Sequence, residues 1–190
     1  MNAKANIYCL ALHPVSGHLD RPDPADIPAH LQGLGLLGES FLFDGETRFK
    51  LGERFYQLLS FMGCAPALKL EQDDPGDSRF CHFRFIELAQ PDLRFLRSEV
   101  KARCPYCRKP GDTAGHILGL FGDQDWHCPH CGQAMPLQAV NWKHEAGMSQ
   151  YFIELLDVHP HEVVPTDGLL KELEVLSGQK WDYFYTVANV

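Results

Sequence analysis

Apolar positions along the chain change period several times, and each change marks an element. Residues 6 to 13, "NIYCLALH", are a short apolar run rich in strand formers and predict a β-strand. A Pro/Gly-rich passage then runs to about residue 40 and reads as a surface excursion with one turn of helix near Ile27 to Leu31. In "SFLFDGETRFKL" the pair Asp44-Gly45 separates two apolar stretches, which is the signal of a tight hairpin. Phe55, Leu58, Leu59 and Met62 recur at helical spacing, predicting a helix that stops at Gly63 and is followed by a strand from Ala67 to Glu71. The same plan returns near the C-terminus. There Leu169, Leu173 and Leu176 share a face, Thr166 or Asp167 caps the helix, Gly178 ends it, and Trp181 to Val187 reads as a strand.

A tetrapeptide echo, "FIEL" at residues 85–88 and again at 152–155, lies inside two further β-rich runs. In chain order the elements are strand, hairpin, helix, strand, strand, an interruption, strand, helix, strand. This pattern predicts an α+β fold: a ferredoxin-like antiparallel sheet with helices on one face, built from residues 1–98 and 146–190. Residues 99–145 break the pattern and read as an insertion.

That insertion carries the clearest chemistry in the chain. Cys104 and Cys107 form one C-x2-C pair and Cys128 and Cys131 a second, twenty residues further on. The spacing is that of a zinc site, in which two tight turns bring four thiolates onto one ion. Gly132 supplies a residue that takes positive φ freely at the end of the second turn. Four thiolates close a tetrahedral shell and leave no position for substrate, so one structural Zn2+ per chain is expected. "CPYC" and "CPHCG" resemble the knuckles of the zinc ribbon, a short β module, and the resemblance covers residues 101–140 only. Rubredoxin, an iron protein, uses similar knuckles, but here Arg108 and Lys109 follow the first pair in place of glycine, and zinc is favoured over iron. His116, His127, His130 and His144 surround the module and are expected as exposed residues or donors behind the ligands.

Composition narrows the rest. The chain has 190 residues, 45% hydrophobic and 22% charged, enough for one domain or one domain with a small module. No run approaches the roughly 18 apolar residues of a membrane span, and the first residues lack the pattern of a secretory signal, so a cytoplasmic protein is expected. Seven cysteines, an odd number with four in C-x2-C pairs, favour metal over a disulfide framework. Cys9, Cys64 and Cys81 lie in apolar contexts and are expected as small buried hydrophobes.

Net charge is −8, which argues against broad nucleic-acid binding. Residues 94–109 are nevertheless +5, through Arg94, Arg97, Lys101, Arg103, Arg108 and Lys109 against Glu99, leaving −13 elsewhere. This stretch is either a solvated linker or a contact surface for an acidic protein or for RNA. An enzymatic alternative places Glu87, Glu154, His159 and His161 in one cleft, if the two "FIEL" strands are neighbours. No phosphate loop, nucleophile elbow or HExxH is present. The leading expectation is a zinc-binding protein without catalysis, acting through contact with another protein, with RNA binding as the second alternative.

Overall fold

The first strand, β1 (Ile7–Pro14), pairs with two segments from the far end of the chain, residues 153–156 and 181–188, so the sheet closes from both ends of the chain. The structure is a computed structural model and describes residues 7–20, 23–62, 68–73, 77, 79–118 and 125–188. After β1 the Pro/Gly-rich passage forms α1 (Asp26–Gly33), longer than the single turn expected, with Ile27 and Leu31 fully buried. The hairpin follows as β2 (Leu37–Phe43) and β3 (Glu46–Leu51). Its turn is the one Asp44-Gly45 calls for, with φ of 50° and 81°.

The next helix departs from expectation. Only one turn, α2 (Phe55–Leu58), forms before the chain extends into β4 (Leu59–Phe61). The reason is tertiary. Leu59 pairs across to Pro165, and the Leu58 carbonyl accepts both the Thr166 amide and its hydroxyl, so the backbone of a longer helix is claimed by a neighbour. Phe55, Leu58 and Leu59 are still buried, while Met62 is exposed. Gly63 and Ala67 lie outside the described residues; residues 68–71 form no strand, and Leu70 is exposed.

The long strand β5 (His82–Phe95) leads into the cysteine module: β6 (Lys101–Arg103), β7 (Pro110–Thr113), α3 (Ala114–Leu118), β8 (Trp126–His127) and β9 (Ala134–Met135). The chain returns to the sheet as β10 (Ala146–Leu156), then β11 (Val163–Pro165), α4 (Asp167–Ser177) and β12 (Trp181–Ala188). Helix α4 follows its sequence closely. The Thr166 hydroxyl accepts the Leu169 amide, Leu169 and Leu173 are buried, and Gly178 ends the helix with φ of 69°.

Six strands make one antiparallel sheet in the order β12-β1-β10-β5-β3-β2. One face is apolar: Leu10, Leu12, Phe83, Tyr151, Ile153, Leu155 and Tyr185 form a single core with Ile27 and Leu31 of α1, Phe55 of α2, and Leu169 and Leu173 of α4. The other face alternates with it. There Ala11, Phe152 and Phe184 form a small cluster beside a buried polar row of Arg48, His82, Arg84 and Glu154. The cysteine module has its own core, including Val100, Ala102, Ile117, Trp126, Met135 and Trp142, joined to the sheet through Leu93 and Ala146. Among the described residues, no helix is long and apolar enough to cross a membrane.

Candidate metal centre

Each C-x2-C pair sits at the tip of a two-stranded hairpin, and the two tips are built alike. In the first, β6 pairs with β7, the Cys104 amide donates to the Lys109 carbonyl, and the Arg108 amide donates to the Cys104 carbonyl at 2.8 Å. In the second, β8 pairs with β9, the Cys128 amide donates to the Gln133 carbonyl, and the Gly132 amide donates to the Cys128 carbonyl at 2.9 Å. The residue after the second cysteine must turn left-handed in both, and Arg108 and Gly132 do so with φ of 62° and 72°. Glycine takes this conformation freely; arginine does so at a cost. Gly111 has a different task, since a Cβ there would stand 2.6 Å from the buried Trp126 ring. That ring is fixed by its indole N–H, which donates to Asp112 at 2.9 Å.

The two tips bring all four sulfurs within 4.8 Å of one another. Two of the separations, Cys104 to Cys131 and Cys107 to Cys128, are both 3.7 Å. A tetrahedron with metal–sulfur bonds of ~2.3 Å has an edge of about 3.8 Å, so the cluster has the size a four-thiolate ion requires. Burial works against ionisation of Cys128, yet the His130 and Cys131 amides, together with the neighbouring thiols, bring it down to about 6. Cys104 and Cys128 are buried while Cys131 is exposed, so the centre lies at the module's surface with one thiolate edge open to water.

None of the four histidines competes for this site. All are exposed: His130 meets the Pro110 carbonyl at 2.8 Å, His127 meets the Asp125 carbonyl at 3.1 Å, and His144 stacks on Tyr183 with centroids 4.1 Å apart. Cys9 and Cys81 are buried as expected, and burial raises both thiols, Cys81 to about 12. Cys64 lies outside the described residues.

No family model, curated protein or solved structure matches the chain. The reading of this centre therefore rests on its own geometry.

The alternative cleft does not assemble. The two "FIEL" strands are neighbours, but Glu154 pairs in register with Arg84 and Glu87 with Tyr151. Directly paired residues of an antiparallel ladder share a face, and alternate pairs take opposite faces. Glu154 therefore lies on the polar face, fully buried, accepting from Arg84 Nε at 2.6 Å and Arg94 Nη1 at 2.7 Å. Glu87 lies on the face of Tyr151 and is exposed, as are His159 and His161. Four groups spread over two faces and a loop cannot act on one substrate. What sequence reasoning missed is the arginine pairing of Glu154. The one signal for it was the alternation of His82 and Arg84 with Phe83 and Phe85 in "CHFRF".

Proposed function

We propose that Cys104, Cys107, Cys128 and Cys131 hold one structural zinc ion, and that the protein works without catalysis, as a contact protein whose knuckle module meets another protein. The observation that carries this reading is the four-sulfur cluster, with two edges of 3.7 Å and all sulfurs within 4.8 Å, which suits a closed tetrahedral shell with no open coordination position. A closed shell organises a surface and takes no part in a reaction. Zinc is preferred to iron because such shells at this spacing are mostly structural zinc. The body is read as ferredoxin-like with residues 99–145 inserted. Supporting this, β1, β5, β10 and β12, counted first to fourth, lie in the sheet as fourth, first, third, second, the interleaving of two split βαβ halves.

Elemental analysis of purified protein tests the metal. One zinc per chain is expected, and on replacement by Co(II) the d–d bands of a tetrahedral thiolate site. Iron at unit stoichiometry, in protein produced with both metals available, would overturn the reading.

A further inference from the structure

The basic stretch before the first knuckle is not uniform once folded. Arg94 is committed to Glu154 and Asp92, and Arg97 to Glu145 at 2.6 Å. In β6, Ala102 is buried while Lys101 is exposed and Arg103 partly so, and a strand's alternation turns both cations to one face. Lys143 joins them from the segment bridged to Arg103 through Asn141. Together these three, with Glu99 on the rim and Val100 and Trp142 beneath, line a groove of about 430 Å3. Among the described residues, no ion pair is recorded for Lys101, Arg103 or Lys143.

The groove is held open by backbone contacts at both ends. Leu96 donates to the Glu145 carbonyl at 2.8 Å, while Arg103 and Asn141 exchange two bonds of 3.1 Å. Between these ties, Trp142–Glu145 forms a tight turn closed by the Glu145 amide on the Trp142 carbonyl. Its two central residues, Lys143 and His144, have φ of 54° and 59°. Such a turn is ordinarily made by Asn-Gly, and two residues bearing Cβ atoms adopt it at a cost. The turn is fixed by Asn141 Oδ1, which accepts the Lys143 amide at 3.0 Å, and by His144 stacked on Tyr183. The outcome is an exposed lysine on the groove, which contributes nothing to the core. Conformations of this kind collect at functional sites.

We propose that this groove docks an extended acidic segment of a partner protein, its carboxylates meeting Lys101, Arg103 and Lys143. This deepens the contact reading above and rests on it. Lys101 and Arg103 are two residues apart on a strand, about 7 Å, which is the spacing of alternate side chains in an extended peptide. A peptide is favoured over nucleic acid for two reasons on the same surface. The groove holds only a few side chains, and Trp142, 5% exposed with its N–H given to the Leu137 carbonyl, offers no ring for a base to stack on.

The test is fluorescence anisotropy with the zinc-loaded full chain, using a short labelled peptide of alternating glutamate and serine and a short oligouridylate of equal charge. The peptide is expected to bind, and more weakly as salt rises. Lys101→Gln, Arg103→Gln and Lys143→Gln combined should weaken it by about tenfold or more, at the level of three partly exposed charge contacts. The pair Lys50→Gln and Lys171→Gln, exposed cations outside both the groove and the knuckles, should change it by less than about twofold, a small fraction of a single such contact. Retention of affinity in the triple variant, an equal loss in the control pair, or tighter binding of the oligouridylate would overturn the proposal. Zinc is measured in every sample. A full complement of zinc with no peptide binding fails the groove alone, whereas peptide binding without zinc fails the metal reading and leaves the groove standing.

Discussion

Tyr151, Ile153 and Leu155 of β10 are buried against α1, α2 and α4, whereas Cys104 and Cys128 are buried beside Trp126 and Met135 in a module where, among the described residues, no strand is longer than four residues. The two regions solve the same entropic problem with different means. A six-stranded sheet carrying three helices buries enough apolar area to offset the ordering of its chain. A module of this size cannot, and small domains of its kind need a metal or a crosslink to complete their core. The comparison teaches that two cysteines of the cluster, Cys104 and Cys128, are core residues of the module, standing where the sheet has leucine and phenylalanine.

The largest effect should follow from removing the proposed zinc ligands. Structural zinc contributes on the order of 10 to 16 kcal/mol in small modules, far more than a module of short hairpins can replace. Cys104→Ser or Cys131→Ser is therefore expected to expose residues 99–145 to limited proteolysis, while circular dichroism of the sheet changes little. Global unfolding of either variant would erase the comparison and mean that the two cores are one.

The reverse experiment strikes the sheet. Glu154 is fully buried between Arg84 and Arg94, and Glu154→Leu leaves both guanidiniums without that carboxylate. Breaking a buried pair costs about 3 to 5 kcal/mol. The lower end is expected here, because Arg94 is partly exposed and keeps Asp92 at 3.2 Å. Urea unfolding should show the loss with zinc content unchanged. A variant as stable as the parent would indicate that the polar face contributes little.

Acid should separate the regions again. Burial lowers His13 and His82 to about 4, and in the fold His82 Nε2 receives a bond from Arg48 while its Nδ1 meets the Phe80 carbonyl at 2.8 Å. Unfolded histidine titrates near 6.5, so between these values the unfolded chain holds protons that the folded chain does not. The contribution is complete above about pH 6.5 and is lost as pH falls toward 4, at about 1.4 kcal/mol per unit for each ring. Urea midpoints measured across that range with saturating zinc should fall, and His13→Gln should reduce the slope by about one proton. An unchanged slope would mean that His13 is already charged in the fold.

Local signals carried well into the structure. Asp44-Gly45, the α4 cap and stop, and the two C-x2-C pairs all depend on residues close in sequence, and each lies where its own chemistry requires. The failures were tertiary. Nothing near Leu59 announces that Pro165 will claim it for a ladder, and nothing in "FIEL" fixes a register; one residue of slip between the two strands would have put Glu87 and Glu154 on the same face. Lys143 was equally hidden, because its place opposite Lys101 depends on the Arg103–Asn141 bridge, which joins residues far apart in the chain.

The smallest effect lies inside the module, where the two knuckles can be compared with each other. Both need a left-handed residue after the second cysteine, and both use its amide to bond the first cysteine's carbonyl. Gly132 meets the need without strain; Arg108 meets it at a cost of about 1 to 2 kcal/mol. Arg108→Gly should recover part of that, less than about 1 kcal/mol, because glycine also gains freedom in the unfolded chain. Zinc would then be held up to about fivefold more tightly in a chelator competition. Gly132→Ala is the mirror image. A Cβ there meets nothing within 4 Å, so its loss of about 1 kcal/mol would be a pure backbone cost. If Arg108→Gly loosens zinc instead, the guanidinium supports the thiolates directly, and the first knuckle departs from the second in electrostatics as well as in backbone.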